Sequence, residues 1–396
     1  MDSKNTITIE EYSEVLKKGI GKVYINEWAT HMVGPKWPKP IFAMNKEVTW
    51  DGIRHFVDGI GDLNPLYRDR EYAAKTRYSC LIAPPSYLAT MSSAVNYPDP
   101  PGFPPLPDFP LFVVGKEHEW FSPLCEGDEI DWKTTFPTNL QIRDTQSMGK
   151  MIFMNGITEY TRHRGGIPVA ISRFAIAVYK GAPVYETRLK TDKKPVYTKE
   201  YIKKVYAAQD KEIVRGAEPR YWEDVNVGEE LTPVVRGPYT AMDSVADIRG
   251  CVGEEWHYSS GRLYRLAQEH CGWGIYDPDL KIYRSFKDNF DSNIGGAVYS
   301  GHRYNLLVML LTNWMGDDGF LWKCKSAYQR QTALGCVLWC KGKVSKKYSQ
   351  DGRYCVDIDC SIEDQTGIPI QPSKATVLLP SRDHGQVFYP APHPVV

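Results

Sequence analysis

The chain has 396 residues, and at roughly 100–200 residues per domain this length predicts two or three domains, of which we favour two. Its 48 basic and 48 acidic residues cancel, which excludes the strong net charge that attracts nucleic acid or an anionic membrane and favours a small-molecule partner. No apolar run reaches the ~18 residues of a membrane span, and the nine cysteines include no C-x-x-C pair. We therefore expect a cytoplasmic protein with free thiols.

The first predicted elements are helices. Residues 9–30 have apolar side chains at helical spacing and predict a packing arm that ends at its glycines. Thr49 is a good N-cap for a second helix. The buried face of that helix is predicted from the spacing of Ile53, Phe56, Val57 and Ile60.

A tight turn follows the second helix, with the sequence Gly61-Asp62-Leu63-Asn64-Pro65-Leu66-Tyr67-Arg68-Asp69. Pro65 fixes its own φ and pushes Asn64 out of the α region, so the helix must end before it. The turn therefore projects Asp62 and Tyr67 from a defined backbone. A short helix over 69–76 and an apolar helix over 86–95, the candidate central helix of the first half, are predicted next.

After these helices, the sequence pattern changes from one typical of helices to one typical of strands. Residues 96–110 are rich in proline and predict an overhanging loop. Runs of β-branched residues with period two predict strands over 111–114, 129–135, 150–161 and 169–179. A lysine-rich segment with one short helix then predicts a linker, which gives a first domain over 1–185, a linker over 186–217 and a second domain over 218–396.

The second half repeats the first at low identity. Tyr239-Thr240 and the helix after it correspond to Val48-Thr49, so that Glu254 takes the position of Asp62. Further matches pair Ser300-Gly301-His302 with Ala83-Pro84-Pro85, and Gly367-Ile368-Pro369-Ile370 with Gly166-Ile167-Pro168-Val169. Helices followed by antiparallel strands, twice, predict an α+β protein with two similar halves.

The pattern G-D-x-N-P-Leu-x-x-D followed by Tyr-Ala resembles the hydratase signature of the MaoC-like (R)-specific enoyl-CoA hydratases and dehydratases. The segment from Trp222 to Gly228 resembles the start of a second MaoC-like domain. The resemblance implies a double hot-dog, in which each half wraps an antiparallel sheet around a central helix. It also implies an acyl-CoA thioester substrate, no cofactor beyond that coenzyme A, and a homodimer or higher homo-oligomer. The family has histidine where this chain has Tyr67.

The resemblance assigns three catalytic candidates to the turn. Hydration of an enoyl thioester needs a base for water, an acid for the α-carbon and donors for the thioester oxygen. Asp62 is the candidate base, because burial would raise its pKa into a useful range. Tyr67 is its candidate partner as a proton or hydrogen-bond donor, and Asn64 would position the water. The alternatives are a turn hydrogen bond for Asp62, aromatic packing for Tyr67 and turn formation for Asn64.

Other candidates belong to the substrate site. The family commonly has a histidine-glycine pair where Pro84-Pro85 stands; because proline has no N–H, Ser86 becomes the candidate oxyanion donor. The second half lacks the hydratase motif, so we interpret it as non-catalytic or substrate-accommodating. Its candidate substrate or oxyanion groups are Glu254, His257, Gly301 and His302, with structural roles as the alternative for the histidines.

A cluster of basic side chains near the turn is the candidate coenzyme A site, because guanidinium groups suit phosphates. It comprises Arg68, Arg70, Lys75 and Arg77, with a solvated surface as the alternative. The histidines show no metal-ligand spacing, and no glycine-rich phosphate loop is present. The sequence therefore predicts a hydratase or dehydratase acting on a 2-enoyl-CoA; the alternatives are a non-catalytic acyl-CoA-binding scaffold and an acyl-CoA thioesterase.

Overall fold

A computed structural model describes residues 7–25, 45–92, 111–146, 148–180, 195–250, 300–330, 332 and 334–392. The helices are α1 Ile9–Lys17, α2 Trp50–Ile60, α3 Arg70–Ala74, α4 Lys199–Gln209, α5 Ala241–Gly250 and α6 Ser300–Met315. Short 3-10 helices cover Pro65–Tyr67, Pro85–Thr90 and Trp222–Asp224. The strands of the first half are β1 Val23–Ile25, β2 Ile82–Ala83, β3 Leu111–Trp120, β4 Leu124–Cys125, β5 Ile130–Thr145, β6 Gly149–Arg162 and β7 Pro168–Tyr179. Those of the second half are β8 Val234–Arg236, β9 Phe320–Ala327, β10 Leu338–Gln350, β11 Arg353–Glu363 and β12 Pro369–Leu378.

One antiparallel sheet of ten strands runs through both halves, in the order β1-β5-β6-β7-β3-β9-β12-β11-β10-β8. Five strands come from each half, and their order is mirrored about the β3–β9 pair, in which Gly115 pairs with Ala327 and Glu119 with Lys323. The predicted α+β class with two similar halves is confirmed. The domain boundaries at 185, 186–217 and 218 stay predictions.

The helix α6 is the central helix of the second half and contacts β8, β9, β10 and β11. Its middle is buried on all sides, since Leu306, Leu307, Leu310 and Leu311 are at most 1% exposed. A helix that is apolar all round needs such an enclosed position. Among the described residues, no helix is long and apolar enough to cross a membrane.

The predicted apolar helix over 86–95 is wrong for the residues that are described. Pro85–Thr90 is a 3-10 helix, closed by bonds such as that from the Tyr87 N–H to the Pro84 carbonyl oxygen. Proline at the first position is equally compatible with an α-helix, so the 3-10 form follows from the later hydrogen bonds, in which the Met91 N–H donates to the Leu88 carbonyl oxygen. Residues 93–95 and the proline-rich loop over 96–110 lie outside the described residues.

The N-terminal packing arm is shorter than predicted. Its helix α1 ends at Lys17, after which Gly21 takes a left-handed φ of 82° and the chain continues into β1. Ile9, Tyr12 and Leu16 pack on the sheet over β5 and β6. The arm therefore covers one sheet face of the first half.

The helices α2 and α5 cross where two glycines meet. A Cβ on Gly59 would lie 2.6 Å from the Ala246 carbonyl oxygen and 2.8 Å from the Gly250 Cα. Thr49 caps α2 through the Gly52 N–H, and Thr240 accepts likewise from the Asp243 N–H at the start of α5. The predicted recurrence of a capped helix is confirmed, and the crossing fixes the position of the turn that follows α2.

Candidate active site

The turn after α2 is built by its own side chains. Gly61 ends the helix with a left-handed φ of 70°, and the Asp62 N–H donates to the Val57 carbonyl oxygen. An Asp62 carboxylate oxygen then accepts from the Asn64 N–H at 2.9 Å, and the Asn64 side-chain oxygen accepts from the Leu66 N–H at 3.0 Å. These bonds are the turn-forming roles that the sequence offered as alternatives for Asp62 and Asn64. They also fix the Asp62 carboxyl group in one orientation.

The turn buries its functional groups instead of presenting them to solvent. Asp62 and Asn64 are each 1% exposed and Tyr67 is 2% exposed. Burial raises the pKa of Asp62 to about 6, against the opposing effects of the Asn64 N–H and of the Arg68 and Arg236 charges. A carboxyl group with such a pKa exchanges protons near neutrality, as a general base must.

Tyr67 is a protonated phenol at neutral pH. Burial raises its pKa well above 10, the Asp62 carboxylate adds to that effect, and the Thr312 hydroxyl opposes it. Tyr67 can therefore donate a hydrogen bond or a proton but cannot take one from water. Thr312 belongs to α6, so the second half of the chain contacts this site.

Arg236 joins the Asp62 turn to the second half, and the sequence did not single it out. Its Nη2 donates to the Gly61 carbonyl oxygen at 3.3 Å, and its Nη1 donates to Glu212 at 2.6 Å. Nη2 also lies 3.3 Å from the Met309 sulfur on α6. The one available signal was an arginine at the end of a short apolar strand, which is too weak to indicate a partner.

The basic cluster is mostly bound to the protein itself. Arg68 forms an ion pair with Asp58 at 2.8 Å and donates to the Asp62 carbonyl oxygen. Arg70 pairs with Glu126 and Arg77 donates to the carbonyl oxygens of Asp318 and Val387. Lys75 is exposed. The assignment of these four residues to coenzyme A stays a prediction. Lys75 fits it with the least rearrangement of contacts within the protein.

Ser86 lies in the buried 3-10 helix that replaces the start of a central helix. It is 3% exposed, and its hydroxyl has no hydrogen-bond partner among the described residues. The preceding Pro85 carbonyl oxygen accepts from the Trp120 indole at 3.0 Å, which fixes the local backbone. The strand β2 just before it contacts the 3-10 helix that contains Tyr67. Within the described part of the chain the Ser86 hydroxyl is therefore unpaired, in the same region as the turn.

The second-half candidates are only partly described. Glu254 and His257 lie outside the described residues. Gly301 and His302 form the first turn of α6, where the Tyr239 hydroxyl bonds His302 Nδ1. Burial lowers the pKa of His302 to about 3, so its imidazole is neutral. Among the residues that can be placed, no group of three His, Cys, Asp or Glu side chains could hold a metal ion.

Comparison with known proteins identifies the segment that contains the turn. Residues 40–172 match the family described as "FAS1-like, dehydratase domain region". A UPF0336 protein of Thermobifida fusca (strain YX) is 38% identical over 92 residues, which are 22% of this chain and 59% of that one. A second, from Parafrankia sp. (strain EAN1pec), is 35% identical over 91 residues, 22% of this chain and 60% of that one. The chain thus covers less than two-thirds of these curated relatives.

Solved structures match over nearly the whole chain. A MaoC-like dehydratase has a TM-score of 0.58 at 15% identity and covers 92% of this chain and 99% of its own. A MaoC domain protein dehydratase from Chloroflexus aurantiacus scores 0.53 at 9% identity, with 96% and 99% covered. A Mycobacterium tuberculosis protein with a double hot-dog fold scores 0.52 at 9% identity, with 91% and 96% covered.

At these identities the structural matches establish the fold, and the predicted double hot-dog is confirmed. The resemblance to MaoC-like dehydratases is likewise confirmed. The chain is a double hot-dog protein whose fold resembles that of MaoC-like dehydratases, and its residues 40–172 match the family described as a FAS1-like dehydratase region.

Proposed function

We propose that this protein is an acyl-CoA hydratase or dehydratase, which adds or removes water across the α,β bond of a 2-enoyl-CoA thioester. The single observation that supports this proposal is the Asp62 carboxyl group, buried with a pKa of about 6 inside the segment that matches the dehydratase region. A structural turn aspartate on a protein surface would not need this environment.

The proposed step follows from the charges of the turn. The Asp62 carboxylate takes a proton from water, the water oxygen bonds to the β-carbon, and the electron pair of the double bond moves toward the thioester oxygen. A proton returned to the α-carbon then completes the addition, and dehydration is the reverse. Tyr67 is the partner that donates a hydrogen bond to the oxygen atoms of the water and the thioester. The Asn64 N–H holds the Asp62 carboxylate in place. Ser86 is proposed as the donor to the thioester oxygen.

A second candidate function is binding of an acyl-CoA without reaction. It is favoured by one observation: the phenol of Tyr67 stands where the related hydratases have a histidine, and its raised pKa excludes it as a base. In that case Asp62 would lack the histidine partner that the related hydratases have. Binding without turnover would be the result.

The test is a hydration assay with a panel of trans-2-enoyl-CoA thioesters. The reaction is monitored through the loss of absorbance of the conjugated thioester. Asp62→Asn keeps an oxygen for the Asn64 N–H but cannot accept a proton, so we expect turnover to fall by roughly 10²–10⁴-fold. Asp69→Asn, an exposed capping residue seven positions later, is the matched control and should retain turnover.

The same assay separates the alternatives. Undiminished turnover in Asp62→Asn refutes the proposed base. Tight binding of acyl-CoA without turnover by the natural chain supports the scaffold function. Release of free coenzyme A thiol in place of loss of the double bond supports a thioesterase.

A further inference from the structure

The central helix α6 has an apolar middle but a polar beginning. His302, Arg303, Tyr304 and Asn305 follow one another in its first turns, and each is at most 4% exposed. Buried polar groups are costly unless hydrogen bonds satisfy them. The partners of these side chains therefore indicate what the region is for.

Comparison of the two halves shows a further set of buried polar groups, on α5 and just before its cap, that the fold itself does not need. When Gly59 is aligned with Gly250 at the helix crossing, the two capping threonines also coincide. Three buried apolar residues of the first half are then replaced by polar ones in the second. Val48 becomes Tyr239, Ile53 becomes Ser244 and Phe56 becomes Asp247, and all six are at most 4% exposed. The same architecture thus packs with apolar residues in one half and polar residues in the other. Tyr239 and Asp247 contact His302, so these polar residues and the buried polar start of α6, which includes Arg303, form one polar layer.

Arg303 is the most costly member of the polar layer. It is 2% exposed, its Nη1 donates to the Arg330 carbonyl oxygen at 2.7 Å, and its guanidinium lies 5.5 Å from the centre of the Tyr328 ring. Within the described ranges it forms no ion pair, and its Nε has no hydrogen-bond partner. An isolated buried charge is strongly unfavourable, so a guanidinium in this position is suited to an anion that arrives from outside the chain.

One further polar atom, on the residue next to Arg303 in sequence, lacks a partner in the part of the chain that is described. It is His302 Nε2, on a ring oriented through Nδ1 by Tyr239 and by Asp247 at 4.0 Å. When the Tyr239 hydroxyl donates to Nδ1, the neutral ring carries its proton on Nε2. A guanidinium and an imidazole N–H with open positions together suit a ligand of negative charge.

The polar layer and the Asp62 turn lie along the same helix. Arg236 contacts both the Gly61 carbonyl oxygen and Met309, and the Thr312 hydroxyl forms a side-chain hydrogen bond that opposes the raised pKa of Tyr67. Met309 and Thr312 follow Arg303 by six and nine residues, which is about 9–14 Å along an α-helix at ~1.5 Å per residue. That separation matches the length of a medium acyl chain.

We propose that the second half binds a carboxylate on the acyl chain of the substrate, with the Arg303 guanidinium as its counter-ion and His302 as a hydrogen-bonding neighbour. The inference rests on the proposed function, and it narrows the substrate to thioesters of dicarboxylic acids. The thioester end would lie at the Asp62 turn. The carboxylate end would lie at the start of α6.

Calorimetric titration of the full chain tests this inference without turnover. The probes are adipyl-, suberyl- and sebacyl-CoA, each compared with hexanoyl-, octanoyl- or decanoyl-CoA of the same length. We expect the natural chain to bind at least one carboxylate-bearing probe roughly tenfold or more tightly than its plain counterpart. Arg303→Met should remove that preference and leave binding of the plain thioesters unchanged. Arg220→Met, which removes a partly buried arginine paired with Glu229 at 2.7 Å, should retain the preference.

Thermal unfolding without ligand supplies an independent readout. Removal of an uncompensated buried charge should leave the Tm of Arg303→Met unchanged or raised, whereas Arg220→Met should lower it. Equal affinities for both probe classes, or a lower Tm of Arg303→Met with the carboxylate preference intact, would overturn the inference and assign Arg303 a structural role. Carboxylate-selective binding without hydration would instead keep this site and reject the hydratase proposal.

Discussion

At the scale of single residues, Asp62 combines local order with burial by distant parts of the chain. Its orientation comes from Asn64 and Gly61, its neighbours in sequence. Its raised pKa comes from burial, and Arg236 of the second half moderates the effect. A buried carboxyl group with a raised pKa lowers the stability of the folded state near neutral pH, and such groups are common at reactive sites.

The stability cost of Asp62 can be measured against pH. Burial raises its pKa from 3.8 to about 6, so the folded chain holds this proton more tightly than the unfolded chain and loses stability as the pH rises through that range. We expect Asp62→Asn, which cannot ionise, to be more stable than the natural chain near neutral pH, by on the order of 3 kcal/mol. Urea unfolding should show the difference shrinking as the pH falls and approaching zero below about pH 4, where Asp62 is neutral in both the folded and the unfolded chain. A less stable Asp62→Asn at neutral pH contradicts the raised pKa.

The sequence predicted the residue-scale features that depend on neighbours and missed those that depend on the other half. The turn, its helix ending and the buried Asp62 follow from glycine, proline and the apolar face of α2. Arg236 and Thr312 are respectively 174 and 250 residues after Asp62. No local pattern marks such partners, because only the packing of α6 and β8 brings them to the turn.

At the scale of elements, the crossing of α2 and α5 places the Asp62 turn. Gly59 and Gly250 let the two backbones approach, and the turn begins two residues after Gly59. Gly59 lies inside α2, which continues through it to Ile60. A glycine inside a helix has the same local signature whether it ends the helix or makes room for another one.

Gly59→Ala tests the crossing. Alanine favours an isolated helix, but its Cβ would lie 2.6 Å from the Ala246 carbonyl oxygen, so the helices must separate. We expect a loss of about 1–3 kcal/mol in the free energy of unfolding and a parallel loss of hydratase turnover. His55→Ala, at an exposed position of the same helix, should change neither. A Gly59→Ala variant that is more stable would contradict the close approach.

At the scale of the whole molecule, the two halves form one structure. The β3–β9 pairing joins their sheets, and Tyr72 donates to the Asp317 carboxylate at 2.6 Å across the two halves. The internal repeat predicted similar halves, but not this junction, because strand pairing across some 200 residues depends on packing that no local pattern encodes. The homodimer or higher oligomer stays a prediction.

The junction predicts cooperative unfolding of both halves. Hydrogen exchange of the full chain, followed by mass spectrometry in increasing denaturant, should give central strands β6 and β11 the same free energy of opening. Exchange from β6 at clearly lower denaturant than from β11, or the reverse, would contradict a single cooperative unit. The exposed helix α4 should exchange earlier and serves as the internal reference.

The pH dependence of kcat/KM for enoyl-CoA hydration tests the central claim most directly. Because Asp62 must be ionised to accept a proton from water, the rate should fall as the pH drops through about 6, the pKa of its buried carboxyl group. The small residual rate of Asp62→Asn should lack that limb. A flat profile in the natural chain, or the same limb in Asp62→Asn, would contradict the assignment of Asp62 as the general base.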